Sequence, residues 1–214
     1  MADPPSPCTD RDWLREAGQI KALGSIWGGQ HGLLSVGELA LLMRLVRDEP
    51  GPLRALEVGH YHGLSTCGMV RALADRDDWT LLTVDSHEAD CWVGKTEPAD
   101  FHRNRLEHFD SPRLSVQIAR SQTLGAPLEF DAVFYDGDHA DEQRRFTEQV
   151  IASPAVRLFV FDDRDFAVPR ECCDLLNASG WFDESPAVER VRGQGDKTNP
   201  DTMTLGVFRR GIQK

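Results

Sequence analysis

The chain has 214 residues, enough for one domain with a substantial core and hardly enough for two. Its 40% hydrophobic and 28% charged content is that of an ordinary soluble globule, and a net charge of −11 argues against a phosphate-backbone partner. The start, MADPPSPCTD, lacks the basic and apolar segments of a secretory signal, no apolar run approaches the ~18 residues that span a bilayer, and five cysteines without metal-ligand spacing read as reduced thiols. A cytoplasmic protein with no nucleic-acid or membrane partner is expected.

Taken in chain order, residues 1–50 form a proline-rich tip and a helical cap, and residues 51–214 a sheet domain. The spacing of Trp13, Leu14, Ala17, Ile20 and Lys21 predicts a helix over Asp12–Leu23, followed by a glycine-broken loop carrying Trp27 and His31. Ser35-Val36-Gly37-Glu38 is a capping box, and Leu39, Leu42, Leu45 and Val46 continue it as an amphipathic helix that Pro50-Gly51-Pro52 stops. The apolar faces of these two helices would suit a homodimer contact. From Leu53 onward strands alternate with helices, which predicts an α/β fold with a parallel sheet covered on both faces. Strands are expected at 53–58, 80–85, 114–118, 131–136 and 157–162, and helices at 65–75, 98–109, 140–152 and 168–179. Ala187–Arg192 and Met203–Arg209 read as a closing antiparallel hairpin around a long loop, Gly193–Asp201.

The chemistry concentrates at strand ends. Leu53–Gly68 is a buried strand, a loop punctuated by Gly59 and Gly63, and a helix opening with Ser65 and Thr66. That order gathers free N–H groups and a positive dipole end at one point. The spacing, E-x-G-x-x-x-G, differs from G-x-G-x-x-G, and Glu57 suits an amino or hydroxyl donor better than a pyrophosphate. Asp85 ends the next strand, where a carboxylate accepts both hydroxyls of a ribose; a helix N-cap is the plainer alternative. Asp136-Gly137-Asp138-His139 and Asp162-Asp163 end the fourth and fifth strands. Neighbouring strand ends lie about 5 Å apart, so Asp136, Asp162 and Asp163 converge and call for a neutralising cation, Mg2+ being the natural choice. Capping of the next helix, or pairing with Arg164 or Arg170, would serve instead. His139 has the chemistry of a general base and, equally, of a structural histidine. The Asp-Gly-Asp triplet also fits a metal-dependent glycosyltransferase, less economically given Asp85. No G-x-S-x-G elbow is present.

With these residues assembled, the chain resembles the class I S-adenosylmethionine (SAM)-dependent methyltransferases, and within them the small O-methyltransferase-like group with a D-G-D-H segment. It is also similar to the metal-dependent sugar and catechol O-methyltransferases. The matching residues are Glu57-Val-Gly59-His-Tyr-His-Gly63-Leu-Ser65-Thr66, Asp85, Ala119-Arg120-Ser121, Asp131–His139 and Asp162-Asp163, within a resemblance running from about Gly32 to Arg209. It implies a Rossmann-like, doubly wound, seven-stranded, mostly parallel sheet with an antiparallel last strand. It implies a cofactor site of Glu57, Gly59, Tyr61, Gly63, Ser65, Thr66, Asp85, Ser86 and Ser121. The methionine part would lie on the Gly59–Gly63 loop, the ribose on Asp85 and the adenine near Ser121. Asp136, Asp162 and Asp163 fall where the metal-dependent members keep their ligands, and His139 where catechol-type members place a lysine. The implied reaction is methylation of a small-molecule hydroxyl, of a natural-product kind by analogy. Mg2+ would hold the hydroxyl beside Asp136, His139 would take its proton, and the loops Cys91–Glu97 and Gly193–Asp201 would shape the acceptor pocket. The alternatives at this stage are a SAM-binding protein of the same fold without catalysis, or a metal-dependent glycosyltransferase or hydroxylase-like enzyme.

Overall fold

The computed structural model describes residues 10–26, 34–60, 63–86, 111–137, 141–164, 167–185 and 205–211. Two N-terminal helices, α1 (Asp10–Ile26) and α2 (Val36–Asp48), lead into β1 (Leu53–Val58), α3 (Leu64–Leu73) and β2 (Trp79–Asp85). After these come β3 (Leu114–Ile118), a 3-10 turn at Ser121–Thr123, β4 (Ala132–Tyr135), α4 (Asp141–Ile151) and β5 (Leu158–Phe161). The chain closes with α5 (Ala167–Ala178), β6 (Trp181–Asp183) and β7 (Gly206–Arg210). The seven strands form one sheet in the order β3-β2-β1-β4-β5-β7-β6. Only β7 runs antiparallel to its neighbours, and it does so to both β5 and β6. This is the Rossmann-like sheet with a reversed last strand that the resemblance implied.

Strand side chains alternate between faces with a period of two, and here both faces are apolar. Leu53, Ala55, Trp79, Leu81, Ala132, Phe134, Leu158, Val160 and Val207 share one core with α1, α2 and α3. Leu56, Val58, Val84, Val133, Tyr135, Phe159, Phe161 and Phe208 share the other with Phe146 of α4 and with Cys172, Cys173 and Leu176 of α5. A sheet buried on both sides explains why these strands read as continuous apolar runs. The apolar faces of α1 (Trp13, Ala17, Ile20) and α2 are buried within the chain itself.

The capping box at α2 is formed as its residues predict. The Glu38 N–H donates to Ser35 Oγ at 3.2 Å and the Ser35 N–H to Glu38 Oε2 at 2.8 Å. At the other end of α2, the Arg76 guanidinium bonds to the carbonyls of Arg47 and Glu49, at 3.2 and 2.6 Å. The last strand is secured by Arg210, whose guanidinium bonds to the carbonyls of Val150, Ile151, Ser153 and Val156 and lies 4.8 Å over the Trp181 ring.

The partner of β7 differs from expectation. It is Trp181–Asp183, immediately after α5, a strand too short to leave a periodic signature. The expected strand Ala187–Arg192, the loops Cys91–Glu97 and Gly193–Asp201, the helix 98–109, and Trp27 and His31 lie outside the described residues. Among the described residues no helix is long and apolar enough to cross a membrane.

Replacing Ser35 by Ala removes one half of the capping box and should lower the unfolding free energy by about 1 kcal/mol. Urea unfolding would show this as a lower midpoint with an unchanged slope.

Candidate active site

Strand order reverses between β1 and β4: β2 and β3 follow β1 outward on one side, while β4 and β5 lead away on the other. The crevice beyond the carboxyl ends of strands at such a reversal is where open α/β sheets bind ligands. Register decides what meets there. Val58 pairs with Val84 and with Tyr135, and Tyr135 pairs with Phe161. One residue further on, Asp85, Gly59, Asp136 and Asp162 therefore stand level across four adjacent strands. The backbone continues the pairing there, with the Gly59 N–H donating to the Val84 carbonyl (2.8 Å), that of Asp136 to Val58 (2.7 Å) and that of Asp162 to Tyr135 (3.0 Å).

Gly59 has a φ of +83°, and a Cβ on it would sit 2.5 Å from the Asp136 carbonyl carbon and 2.9 Å from the Gly137 nitrogen. The loop after β1 thus crosses directly against the chain leaving β4, which only a glycine permits. Gly63 (φ +76°) is the N-cap of α3 and offers no side chain to cap it. Tyr61, between the two glycines, is outside the described residues, as is His139.

Glu57 is fully buried, and both its carboxyl oxygens are engaged by the first turn of α3: Ser65 Oγ donates to Oε1 at 2.5 Å and Thr66 Oγ1 to Oε2 at 2.6 Å. Burial pushes the Glu57 carboxyl up to about 7, while hydrogen bonding from Ser65 and Thr66, and the nearby Thr83 hydroxyl, pull it back and the Asp85 charge adds to the rise. Asp85 remains partly exposed and accepts the His60 N–H on Oδ2 at 2.9 Å, with the buried His60 ring 3.9 Å away. Ser86 follows it, half-buried. Ser121 is buried and its hydroxyl donates to Glu142 at the start of α4.

The acidic strand ends do interact. Burial, then the charges of Asp162, Asp163, Glu57 and Asp85, hold the Asp136 carboxyl well above the usual carboxylate range. Arg164, an alternative partner for these acids, turns instead to Asp183 on β6 at 2.7 Å. The opposite end of the sheet contrasts with this: there the buried Glu49 pairs with Arg209 and Arg157, and Asp131 with Arg54 and Arg157.

The residues expected to hold Mg2+ stand at the ends of β4 and β5. Asp162 Oδ1 accepts the Asp163 N–H at 2.8 Å, and Asp163 sits in the left-handed region at φ 56°. Among the described residues no group of three or more His, Cys, Asp or Glu side chains is arranged to hold a metal ion. Asp136, Asp162 and Asp163 interact through charge.

Two residues of the site were not singled out from sequence. Thr83 stands opposite Glu57 in the register of β2, with a buried hydroxyl that makes no hydrogen bond of good geometry yet acts on the Glu57 carboxyl. His60 supplies the N–H that Asp85 accepts. The alternation of Trp79, Leu81, Thr83 and Asp85 along one face was the available signal for the first.

The fold is the Rossmann-like methyltransferase fold. Residues 56–156 match a methyltransferase-domain family. No curated protein matches the sequence. Among solved structures, a candidate O-methyltransferase from Klebsiella pneumoniae superposes with a TM-score of 0.60 at 18% identity, covering 98% of this chain and 92% of its own. The O-methyltransferase TomG from Streptomyces achromogenes, involved in tomaymycin synthesis and solved in complex with SAM, gives 0.58 at 20% identity over 94% and 90%. An O-methyltransferase from Bacillus cereus in complex with S-adenosylhomocysteine (SAH) gives 0.58 at 17% identity over 96% and 92%. At such identities the likeness is one of fold.

Because its pKa is raised on folding, Glu57 binds its proton more tightly in the native chain than in the unfolded one. Its contribution is therefore greatest below pH 4.5 and is lost as pH rises through about 7. Glu57→Gln should abolish that loss: between pH 5 and 8 the variant's urea stability should fall less than the wild type's, by on the order of 2 kcal/mol. Equal slopes in the two proteins would contradict the assignment.

Proposed function

We propose that the chain transfers a methyl group from SAM to the hydroxyl of a small molecule. The observation that carries this reading is the placement of Asp85 beside the Gly59 loop at the strand reversal, one carboxylate level with a glycine that has no room for a side chain. The crevice fits the cofactor: the missing Cβ leaves the backbone open to close approach, and an acidic rim suits a ligand with sulfonium and ammonium charges. The methyltransferase-domain match supports the transfer, and the O-methyltransferase neighbours support oxygen as acceptor.

Bound SAM supplies an electrophilic methyl carbon. In this reading Asp85 accepts the ribose hydroxyls while holding the His60 N–H, which fixes the loop that follows β1. Asp136, at the level of Gly59, accepts a hydrogen bond from the acceptor hydroxyl and orients it toward the methyl group. As the carbon–oxygen bond forms and the carbon–sulfur bond breaks, the hydroxyl proton passes to His139, three residues beyond Asp136.

Calorimetric titration with SAM and SAH tests the reading. The wild-type protein should bind both. Asp85→Asn, which can still accept the His60 N–H, should weaken binding roughly 10- to 100-fold, as expected for a charged hydrogen-bond acceptor, with little change in melting temperature. Absence of binding by the wild-type protein would overturn it.

A further inference from the structure

We propose that Glu57, Ser65 and Thr66 form a buried tie that positions the first turn of α3 for the cofactor and that none of the three side chains touches the cofactor; this rests on the reading of the site given above. The resemblance instead implied all three in the cofactor site, and the spacing suited Glu57 to a ligand's amino or hydroxyl donor. Three observations assign the tie.

Exposure comes first. The relative exposure of Glu57, Ser65 and Thr66 is 0%, 4% and 1%. A side chain that contacts a ligand in an open crevice should show surface there, as Asp85, Asp136 and Asp163 do.

Second is direction. Alternation along β1 sets Glu57 on the face of Leu53 and Ala55, under α2 and α3. Both its oxygens are taken up by hydroxyls of α3. Third is what α3 lacks. An ordinary helix start carries a Ser, Thr, Asp or Asn whose side chain caps its N–H groups, whereas Gly63 has none to give. The first intrahelical bond runs from the Cys67 N–H to the Gly63 carbonyl at 3.0 Å, so the N–H groups of residues 64–66 precede the ladder. Their aim depends on how the turn is held. Glu57 holds it from beneath, by two hydroxyls on consecutive residues, and the buried Thr83 hydroxyl stands across from the same carboxyl.

The tie and a direct contact respond differently to the loss of charge. Gln keeps two hydrogen-bonding atoms at position 57, and hydroxyls can donate to one and accept from the other. The experiment titrates SAH into the full chain as wild type, Glu57→Gln, Glu57→Ala, Ser65→Ala/Thr66→Val and the combination of the last two, with folding checked by circular dichroism. The tie predicts Glu57→Gln within threefold of wild type. It predicts at least tenfold weaker binding for Glu57→Ala and for the hydroxyl pair, with no further loss on combining them. A tenfold or greater loss in Glu57→Gln, or losses that multiply in the combination, would overturn the tie while leaving the site intact. Should Glu57→Ala fail to fold, Glu57→Gln decides alone: binding within threefold of wild type supports the tie and a tenfold loss overturns it. Failure of the wild-type protein to bind SAH would instead remove the reading of the site itself.

Discussion

The close crossing of the Gly59 backbone over the chain leaving β4 is the constraint on which the rest of the site depends. With no Cβ to accommodate, β1 and β4 stay paired up to the point where their chains turn apart, and that pairing sets Asp85, Asp136 and Asp162 at one level. Shifting any of these strands by one residue would send its terminal carboxyl to the opposite face, toward α4 and α5. The two apolar cores prevent that shift, because it would also exchange every buried side chain of the strand between two differently packed layers.

Charge gives the crevice its character. The far end of the sheet neutralises its acids with arginines, while the crevice end lets carboxyls lean on one another, and Asp136 holds its proton more tightly as a result. An arrangement of that kind is unfavourable by itself and becomes favourable when a cationic ligand arrives. SAM, with a sulfonium and an ammonium group, is such a ligand. Glu57 belongs to a different layer of the design: it is buried, bonded at both oxygens, and acts on the helix above it.

Much of this was legible in the residues themselves. The alternation of apolar strands and helices, the capping box at Ser35–Glu38, the glycine loop and the acids at successive strand ends follow from local rules that the tertiary structure respects. What escaped was set by contacts between distant segments. The strand Trp181–Asp183 is defined by its pairing with β7 and by Arg210 over Trp181, neither of which leaves a trace in three residues. The left-handed turn at Asp163 and the hydrogen bond from its N–H to Asp162 are backbone details that spacing does not carry. Thr83 was hidden for a simpler reason, since a threonine in a strand ordinarily means only β-propensity.

A crystal structure of the chain with SAH bound tests the central claim most directly. The account predicts the ribose hydroxyls on the Asp85 carboxylate and the homocysteine end over the backbone between Gly59 and Gly63, with Glu57 still bonded to Ser65 and Thr66 beneath it. SAH lying elsewhere on the sheet, or bound with no contact to Asp85, would contradict it.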